Sequence, residues 1–330
     1  MDKKISTVSP ALSVIVVTPT NYEVNRESME FIKQQTAKQQ IEIVLVGPSK
    51  HKMAAPREEF SDFHSFQIIE VGQFQTTGEA FAAGVQHAKA PIVAFLEEHV
   101  FMPTNWAEVI IKEHQKAYVA IGWGLKNANP ESITSWVHLY GSWVHAIDPV
   151  KPGEYSILSG HNTAYKKEVL LDYGAKLATM FDYEYTLYLD LSKRGFQLYL
   201  TDQVASSHLF ISNFWELMRF EFIGSRGFAH QRAKVGKWSL LKKGIYILGM
   251  PLVPWYRLLR VCKANYHSIH FLKLIPILIF PLLCFFHVGM LGELLGYLID
   301  EPIKNKELKM EYELSRRSFM NQYDFEKFSG

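Results

Sequence analysis

Short, uninterrupted apolar runs alternate with longer mixed segments along the first 125 residues of the chain. Runs of this kind, rich in β-branched residues, are typical of strands that are covered on both faces. The segments between them carry apolar residues at helical spacing. We predict strands over 12–18, 41–46, 66–71, 92–96 and 118–123, and helices over 23–38, 77–88 and 103–117. This alternation predicts an α/β fold with a mainly parallel, doubly wound sheet flanked by helices.

The alternation becomes irregular after residue 125. The aromatic segment 130–146 is either a helix packed over the sheet or the wall of a pocket. Beyond it we predict a polar turn that enters a strand near Tyr165, and a short helix that ends at Gly174. The next elements are a helix over 182–194 and two strands, 196–200 and 203–207. From residue 213 onward the pattern is mostly helical, and the composition is increasingly basic and aromatic.

A strongly apolar stretch, 272–299, dominates the C-terminal third. A helix that crosses a bilayer needs about 20 mainly apolar residues, and 275–290 nearly qualifies but contains Pro276 and Pro281. The preceding segment, 238–263, mixes aromatic with basic residues, which suits a helix lying in the interface of an anionic membrane. We therefore predict a helical, membrane-associating region over 236–300, peripheral or embedded, and leave open whether it spans. A charged surface helix is expected over 301–330.

Composition narrows the functional class. The formal net charge is only +2, so the chain lacks the basic excess expected of a nucleic-acid-binding protein. Two cysteines provide no disulfide framework, which suits a reducing compartment, and no apolar export signal follows the first residues. Together with the apolar region, these features place the expected location at the cytoplasmic face of a membrane. No Gly-x-Gly-x-x-Gly follows the first strand, which argues against a dinucleotide-dependent dehydrogenase.

The strand predicted over 92–96 ends in Glu97, Glu98 and His99. In open α/β sheets ligands bind beyond the carboxyl ends of the strands, and carboxylate and imidazole groups suit a divalent ion such as Mn²⁺. Residues i and i+2 of an extended segment point to the same side. We therefore expect Glu97 and His99 to face one ion and Glu98 to turn away. The alternative is a strand that ends in a solvated polar turn.

The order of these motifs resembles the family 2 nucleotide-sugar glycosyltransferases of the GT-A fold, over about residues 12–232. The motifs that carry the resemblance are the acidic strand end at Glu97, the segment 160–165, the acidic helix that ends at Gly195, and the strand that ends at His208. The resemblance implies inverting transfer of a sugar from a nucleotide sugar to a hydroxyl acceptor, in polysaccharide or glycolipid synthesis. The Gln-x-x-Arg-Trp motif of processive synthases is absent, so we expect transfer of one sugar.

The resemblance also implies roles for individual residues. Glu97 and His99 stand at the family's metal motif, and His208 stands where a downstream histidine completes the site for Mn²⁺ or Mg²⁺. Magnesium prefers more oxygen ligands. The catalytic base is expected in the acidic pair of the last helix before Gly195. Glu184 is our first choice and Asp182 is the alternative.

The donor site departs from the family in one respect. The second strand of the family usually ends in an acidic residue, but here that place is taken by Val46-Gly47-Pro48-Ser49. A UDP-sugar is the family default, and GDP and dTDP sugars remain open. The residues expected around the nucleotide and its diphosphate are Thr18, Pro19, Thr20, Gly47, Thr77, Gly78, Glu98, Arg226 and Arg232. Those expected around the sugar or acceptor are His161, Asn162 and Trp123, the last by stacking on a sugar ring or else as a core residue.

We expect a catalytic domain over 1–235, with a nucleotide-sugar half over about 1–125 and an acceptor half over about 126–235. The membrane-associating region 236–300 and the tail 301–330 follow it. Expected partners are a nucleotide sugar, a glycan or lipid-linked acceptor and a membrane surface, but no nucleic acid. The alternative is a non-catalytic nucleotide-sugar-binding or scaffold protein of the same fold, which the missing acid near Gly47 favours and which would bind no Mn²⁺.

Overall fold

The computed structural model describes residues 9–300 and 302–328. Residues 1–8, on which the prediction of no export signal rests, lie outside the described residues, as do residues 301, 329 and 330 of the predicted tail. The chain forms two compact units. Unit 1 comprises Met1–Gly124 and Pro152–Ser206, and unit 2 comprises Leu125–Lys151 and Ser207–Gly330.

The strands of the described residues form one mixed sheet in the order β3-β2-β1-β4-β8-β6-β9-β5, with β7 paired to β9. They are β1 (Leu12–Val17), β2 (Ile41–Gly47), β3 (Ser65–Glu70), β4 (Ile92–Leu96), β5 (Val100–Phe101), β6 (Ala120–Asn127), β7 (Gly153–Glu154), β8 (Thr163–Lys166) and β9 (Leu198–His208). The strands β3, β2, β1 and β4 are parallel, and β8 runs antiparallel to β4 and β6. The parallel α/β arrangement is therefore confirmed for the first four strands, and the sheet turns antiparallel at β8.

Burial explains why the apolar runs predicted these strands well. Every residue of β1, β2 and β4 is buried, because helices cover both faces. The polar side chains on these strands are paired, as where Ser13 Oγ donates to Glu42 Oε2 at 2.5 Å. The prediction of two strands over 196–200 and 203–207 is wrong, because residues 201–202 continue the ladder as part of β9.

The helices are α1 (Arg26–Lys33), α2 (Lys50–Met53), α3 (Thr77–His87), α4 (Trp106–Glu113), α5 (Ile133–Ser142), α6 (Lys167–Leu171), α7 (Leu177–Asp182), α8 (Glu184–Lys193), α9 (Phe214–Val235), α10 (Leu240–Gly249), α11 (Val253–Asn265), α12 (Ile269–Leu298), α13 (Ile303–Leu314) and α14 (Gln322–Phe328). Two predicted helices need correction. The helix over 23–38 is a 3₁₀ turn, Tyr22–Asn25, followed by the shorter α1. The helix over 182–194 begins at Glu184, since the non-helical backbone of Tyr183 separates it from α7.

Helix α12 organises unit 2. Its 30 residues include Pro276 and Pro281, which do not interrupt it. Within the described residues it is the one helix that is long and apolar enough to cross a membrane. Three glycines on one of its faces, Gly289, Gly292 and Gly296, lie against α9.

The predicted charged tail is not simply a surface helix. It forms α13, a 3₁₀ turn and α14. The side chains of Tyr312 and Asp324 in this tail are fully buried in unit 2. Asp324 accepts a hydrogen bond from the Asn129 amide at 2.9 Å. The tail is therefore part of the core of unit 2.

Candidate active site

The chain turns sharply where β4 ends. The amide of Val100 donates to the carbonyl of Glu97 at 3.2 Å, and Glu97, Glu98 and His99 are only 5%, 3% and 0% exposed. The segment is a turn and not an extended strand, so the rule for extended chains does not apply to it, and the orientation of Glu98 relative to an ion stays a prediction. Glu98 Oε1 lies 3.5 Å from His99 Nδ1, and Glu97 Oε2 lies 3.7 Å from His99 Nε2. Both carboxylates therefore face the same buried imidazole.

A second imidazole joins this cluster to the first turn of α8. His161, in the turn before β8, places Nδ1 2.8 Å from Glu97 Oε1. Its Nε2 lies 3.6 Å from Glu184 Oε2. His161, which the sequence placed on the acceptor side, thus connects Glu97 with the expected base, Glu184.

Aromatic side chains fix the position of His161. Its ring lies 4.7 Å from that of Phe81 and 6.3 Å from that of Phe95. Tyr188 OH donates to the carbonyl of Gly160 at 2.8 Å and contacts Thr163 Oγ1 at 3.0 Å. Burial raises the pKa of Tyr188 well above its ordinary value, and the negative charge of Glu184 adds to that rise. Tyr188 therefore stays neutral and holds the turn that carries His161.

Asp182, the alternative base, is bound elsewhere in unit 1. Its Oδ1 accepts a hydrogen bond from the amide of Gly78 at 3.2 Å, in the first turn of α3. A Cβ at Gly78 would lie 2.1 Å from the carbonyl of Ala178, so only glycine fits there. The side chain of Thr76 caps this helix end. One contact thus links Glu184 to His161, and another links Asp182 to Gly78.

The expected nucleotide residues gather at the carboxyl ends of β1 and β2. The amide of Thr18 donates to Val46 at 3.0 Å, and Thr18 Oγ1 donates to the carbonyl of Asn21 at 2.7 Å. A Cβ at Gly47 would lie 2.8 Å from the Thr18 carbonyl and closer still to Met53 Sδ, so the backbones pass too closely for a side chain. Pro19 and Thr20 follow in the exposed break, and Thr77 opens α3.

Sequence reasoning missed one acidic residue here. Glu70 ends β3 and pairs with Gly47 in the register of the sheet. Its Oε2 accepts a hydrogen bond from the amide of Lys50 at 3.1 Å. The signal was a carboxylate at the end of the predicted strand 66–71. The acid that β2 lacks therefore has a counterpart on the neighbouring strand.

Trp123 and Asn162 belong to a buried polar chain. The indole of Trp123 donates to Ser206 Oγ at 3.1 Å, and Ser206 Oγ donates to Asn162 Oδ1 at 3.3 Å. The ring of Trp123 is fully buried and packs edge-on against Trp106 at 5.5 Å. Trp123 is therefore a core side chain and presents no ring face at the surface for stacking.

The remaining expected residues lie in unit 2. His208 ends β9, and its Nδ1 lies 2.8 Å from the carbonyl of Leu209, a contact that fits Nδ1–H as donor and leaves the lone pair on Nε2. Arg226 donates to the carbonyl of Asp300 at 2.7 Å. Arg232 lies 3.3 Å from the Glu293 carboxylate, and its guanidinium lies over the rings of Phe228, Trp238, Tyr246 and Tyr297.

The donor atoms in unit 1 fit a divalent cation. Ligand atoms about 2.0–2.2 Å from one ion lie roughly 3–4 Å apart, and Glu97 Oε2 and His99 Nε2 are separated by 3.7 Å. The cluster gathers the buried carboxylates of Glu97 and Glu98 and the partly buried carboxylate of Glu184, and a positive charge would reduce their mutual repulsion. Mixed carboxylate and imidazole ligands suit Mn²⁺.

Comparisons with known proteins give a consistent picture. Residues 13–174 match the family model described as Glycosyl transferase family 2, and no curated protein sequence matches the chain. Among solved structures, the chain is similar to the mannosyltransferase PcManGT from Pyrobaculum calidifontis in complex with GDP-Man and Mn²⁺. The identity is 15%, 87% of this chain and 88% of that chain are covered, and the TM-score is 0.52. It is also similar to S. aureus TarS 1–349, at 13% identity over 93% and 92% of the chains with a TM-score of 0.46. The first likeness shows that the chain has the GT-A fold expected from its sequence.

Proposed function

Because the chain belongs, through residues 13–174, to glycosyl transferase family 2, we propose that it moves one sugar from a nucleotide sugar to a hydroxyl group with inversion at the anomeric carbon. The acceptor is a glycan or a lipid-linked glycan in polysaccharide or glycolipid synthesis. The observation that carries the proposal is the contact series Glu97–His161–Glu184, which links an expected metal ligand to an expected base.

The proposed metal ligands are Glu97, His99 and His208, with Mn²⁺ as the ion and Mg²⁺ as the less suited one. The separation of Glu97 Oε2 from His99 Nε2 supports the first two. The Nδ1 contact of His208 supports the third, because it directs the lone pair to Nε2. When bound, such an ion neutralises charge on the departing nucleoside diphosphate. The similar mannosyltransferase from Pyrobaculum calidifontis is in complex with GDP-Man and Mn²⁺.

Glu184 is the proposed general base. It takes the proton from the acceptor hydroxyl while the oxygen attacks the anomeric carbon on the face opposite the leaving group. His161 keeps the carboxylate oriented through its contact at 3.6 Å. Asp182 instead holds the first turn of α3 through Gly78, so we propose a positioning role for it.

The proposed donor pocket combines Thr18, Gly47, Thr77 and Gly78 with Glu70, which replaces the acid missing from β2. A carboxylate in this position accepts hydrogen bonds from ribose hydroxyls or from a base N–H. Pro19, Thr20, Glu98, Arg226 and Arg232 remain predicted donor ligands, and His161 and Asn162 remain predicted on the sugar side. UDP, GDP and dTDP sugars are all candidates.

We also propose that unit 2 associates with the cytoplasmic face of a membrane. Large apolar side chains are exposed on α10, α11 and α12, among them Leu241, Leu248, Trp255, Leu259 and Phe280. Many large apolar side chains exposed on consecutive helices are typical of an interaction surface, and Arg260 and Lys263 of α11 suit an anionic one. The division into a catalytic domain over 1–235, a membrane-associating region and a tail stays part of this proposal.

The test is isothermal titration of the full chain with UDP, GDP and dTDP, each with and without Mn²⁺, followed by turnover assays with the matching nucleotide sugars. We expect metal-dependent binding of one nucleotide and loss of the metal dependence in His99→Ala. Lack of binding to all three by a folded protein would overturn the enzyme proposal and favour the non-catalytic scaffold.

A further inference from the structure

A basic cavity of about 430 Å³ lies where α9 passes into α10, entirely within unit 2. Its lining residues are His230, Ala233, Lys234, Lys237, Trp238, Lys243 and Asp300. Three lysines face one carboxylate, so the cavity carries a net charge of +2 when His230 is neutral. His230 Nδ1 lies 3.5 Å from Asp300, whose side chain is 98% exposed and which therefore stays well solvated. The cavity thus favours an anion.

Aromatic rings pack against one another in the wall of the cavity. Trp238 packs on Tyr246 and Tyr297 at 4.4 and 5.6 Å between ring centroids. The guanidinium of Arg232 lies 5.1 Å from the Trp238 ring, and Lys242 Nζ lies 4.3 Å from it. Lys237 adopts φ +46°, a left-handed conformation that β-carbon-bearing residues seldom take. The turn therefore places Lys237 and Trp238 at the cavity, next to Lys234 from the last turn of α9.

The helix that follows the cavity is apolar on its outer surface. Leu241, Ile245 and Leu248 occupy positions i, i+4 and i+7 of α10 and are 76%, 60% and 82% exposed. Lys243 of the same helix lines the cavity. An anion site beside an exposed apolar stripe matches a lipid, whose charged headgroup and acyl chains are joined in one molecule. A soluble phosphate requires the cavity but not the stripe.

We infer that this cavity binds the phosphate of an anionic membrane lipid while the α10 stripe enters the acyl region beside it. The ammonium groups of Lys234, Lys237 and Lys243 contact the phosphate, and Trp238 lies at the level of the headgroups, where indole rings are favoured. The inference rests on the membrane association proposed above and identifies its ligand. It requires no participation of the donor site.

The test is co-sedimentation of the full chain with vesicles of phosphatidylcholine alone, with added phosphatidic acid, or with oleate supplying the same negative charge. We expect the strongest binding to the phosphatidic acid vesicles. Because each lysine near an anionic surface strengthens binding several-fold, Lys234→Gln/Lys237→Gln/Lys243→Gln should weaken it by roughly 10- to 100-fold. The matched control, Lys52→Gln/Lys89→Gln/Lys193→Gln, removes the same charge from exposed positions of unit 1 and should weaken it far less.

Two further measurements make the source of the phosphate distinguishable. Leu241→Ser/Leu248→Ser leaves the lysines in place, and it should reduce vesicle binding but not binding of inorganic pyrophosphate measured by titration. Equal vesicle binding by the two triple lysine variants would overturn the inference. Equal binding of the wild type to the oleate vesicles and to the phosphatidic acid vesicles would overturn it too. Pyrophosphate binding that the lysine triple variant loses, without vesicle binding by the wild type, would mean a soluble ligand in this cavity and overturn the inference as well. Nucleotide binding by the lysine variant tests the proposed enzyme separately, because none of these lysines belongs to the donor pocket.

Discussion

At the scale of single residues, the position of Glu184 has a direct consequence for catalysis. Glu184→Gln keeps the size of the side chain but removes its ability to accept a proton. Because general-base catalysis contributes about 10²- to 10⁴-fold, kcat should fall by that factor while nucleotide affinity is retained. Turnover of the nucleotide sugar together with titration of the nucleotide measures both quantities.

The control is Glu168→Gln, which alters an exposed carboxylate in the first turn of another helix of unit 1, α6. It should leave kcat within about twofold, since surface substitutions away from special features have small effects. If Glu184→Gln retained full turnover, the base would lie elsewhere. In that case Asp182→Asn, which also loosens Gly78, would be the next variant to assay.

The sequence predicted the ends of the site better than its connections. Glu97 and His99 could be predicted because a buried apolar run ends there. Glu184 could be predicted because its helix ends at Gly195. The contact between His161 and Glu184 could not be predicted, because β8, α6 and α7 separate the two residues along the chain. The inward position of Glu98 depends on a turn geometry that no hydrophobic period encodes.

At the scale of elements, the close contact of α12 with α9 depends on glycine. A Cβ at Gly292 would lie 2.4 Å from the carbonyl of Phe222, which is backbone and cannot move aside. Gly292→Ala should therefore lower the free energy of unfolding by about 1–3 kcal/mol, as overpacking does. Urea denaturation of the full chain gives this value.

Gly224 supplies the matched control. It lies inside α9, and nothing in the described structure lies within 4 Å of a Cβ added there. Gly224→Ala should raise stability by about 0.5–1 kcal/mol through helix propensity alone. Similar effects of both substitutions would mean that α12 does not depend on this close contact.

The ion pairs of Arg257 with Glu221 and Glu293, beside this contact, predict that stability depends on pH. The pKa of Glu221 is raised to about 7, mainly by burial and to a smaller extent by the neighbouring Glu293, and against the lowering effects of Arg257 and the Ser225 hydroxyl. The folded chain therefore binds this proton more tightly than the unfolded chain, whose carboxyl has a pKa near 4.5. Stability is greatest below the unfolded value and falls as pH rises towards 7, by at most about 3 kcal/mol from this group.

Thermal unfolding of the wild type and of Glu221→Gln between pH 4.5 and 8 measures this contribution. The amide cannot ionise, so the variant should lose less stability than the wild type as pH rises. Parallel curves for the two proteins would show that Glu221 does not titrate in this range.

Helix α12 also shows what sequence patterns leave open at this scale. Its two prolines counted against a single spanning helix, since each lacks the amide that the helical ladder uses. The helix continues because its packing, with Leu282, Phe285 and Phe286 buried, offsets the missing hydrogen bonds. The strands of unit 1 were predicted more closely, because runs such as 92–96 are buried on both faces and need no tertiary information to be recognised.

At the scale of the whole molecule, ligand binding should raise the free energy of unfolding. A ligand that binds only the folded state at about 100 times its Kd adds about 2.7 kcal/mol to the free energy of unfolding. If Mn²⁺ and a nucleoside diphosphate bind together, the matching nucleotide should raise Tm by several degrees with Mn²⁺ and by much less in EDTA. Thermal scans of the full chain with each nucleotide measure the effect.

The same scans of His99→Ala and His208→Ala separate the proposed ligands from each other. Loss of the metal-dependent shift in both variants, with Tm of the ligand-free proteins close to that of the wild type, is the expected result. Loss in His99→Ala alone would restrict the proposed ligands to Glu97 and His99 and remove His208 from the set. A full shift in EDTA would mean that the nucleotide binds without metal, and the charge of the leaving diphosphate would then have to be neutralised by side chains such as Arg226 or Arg232.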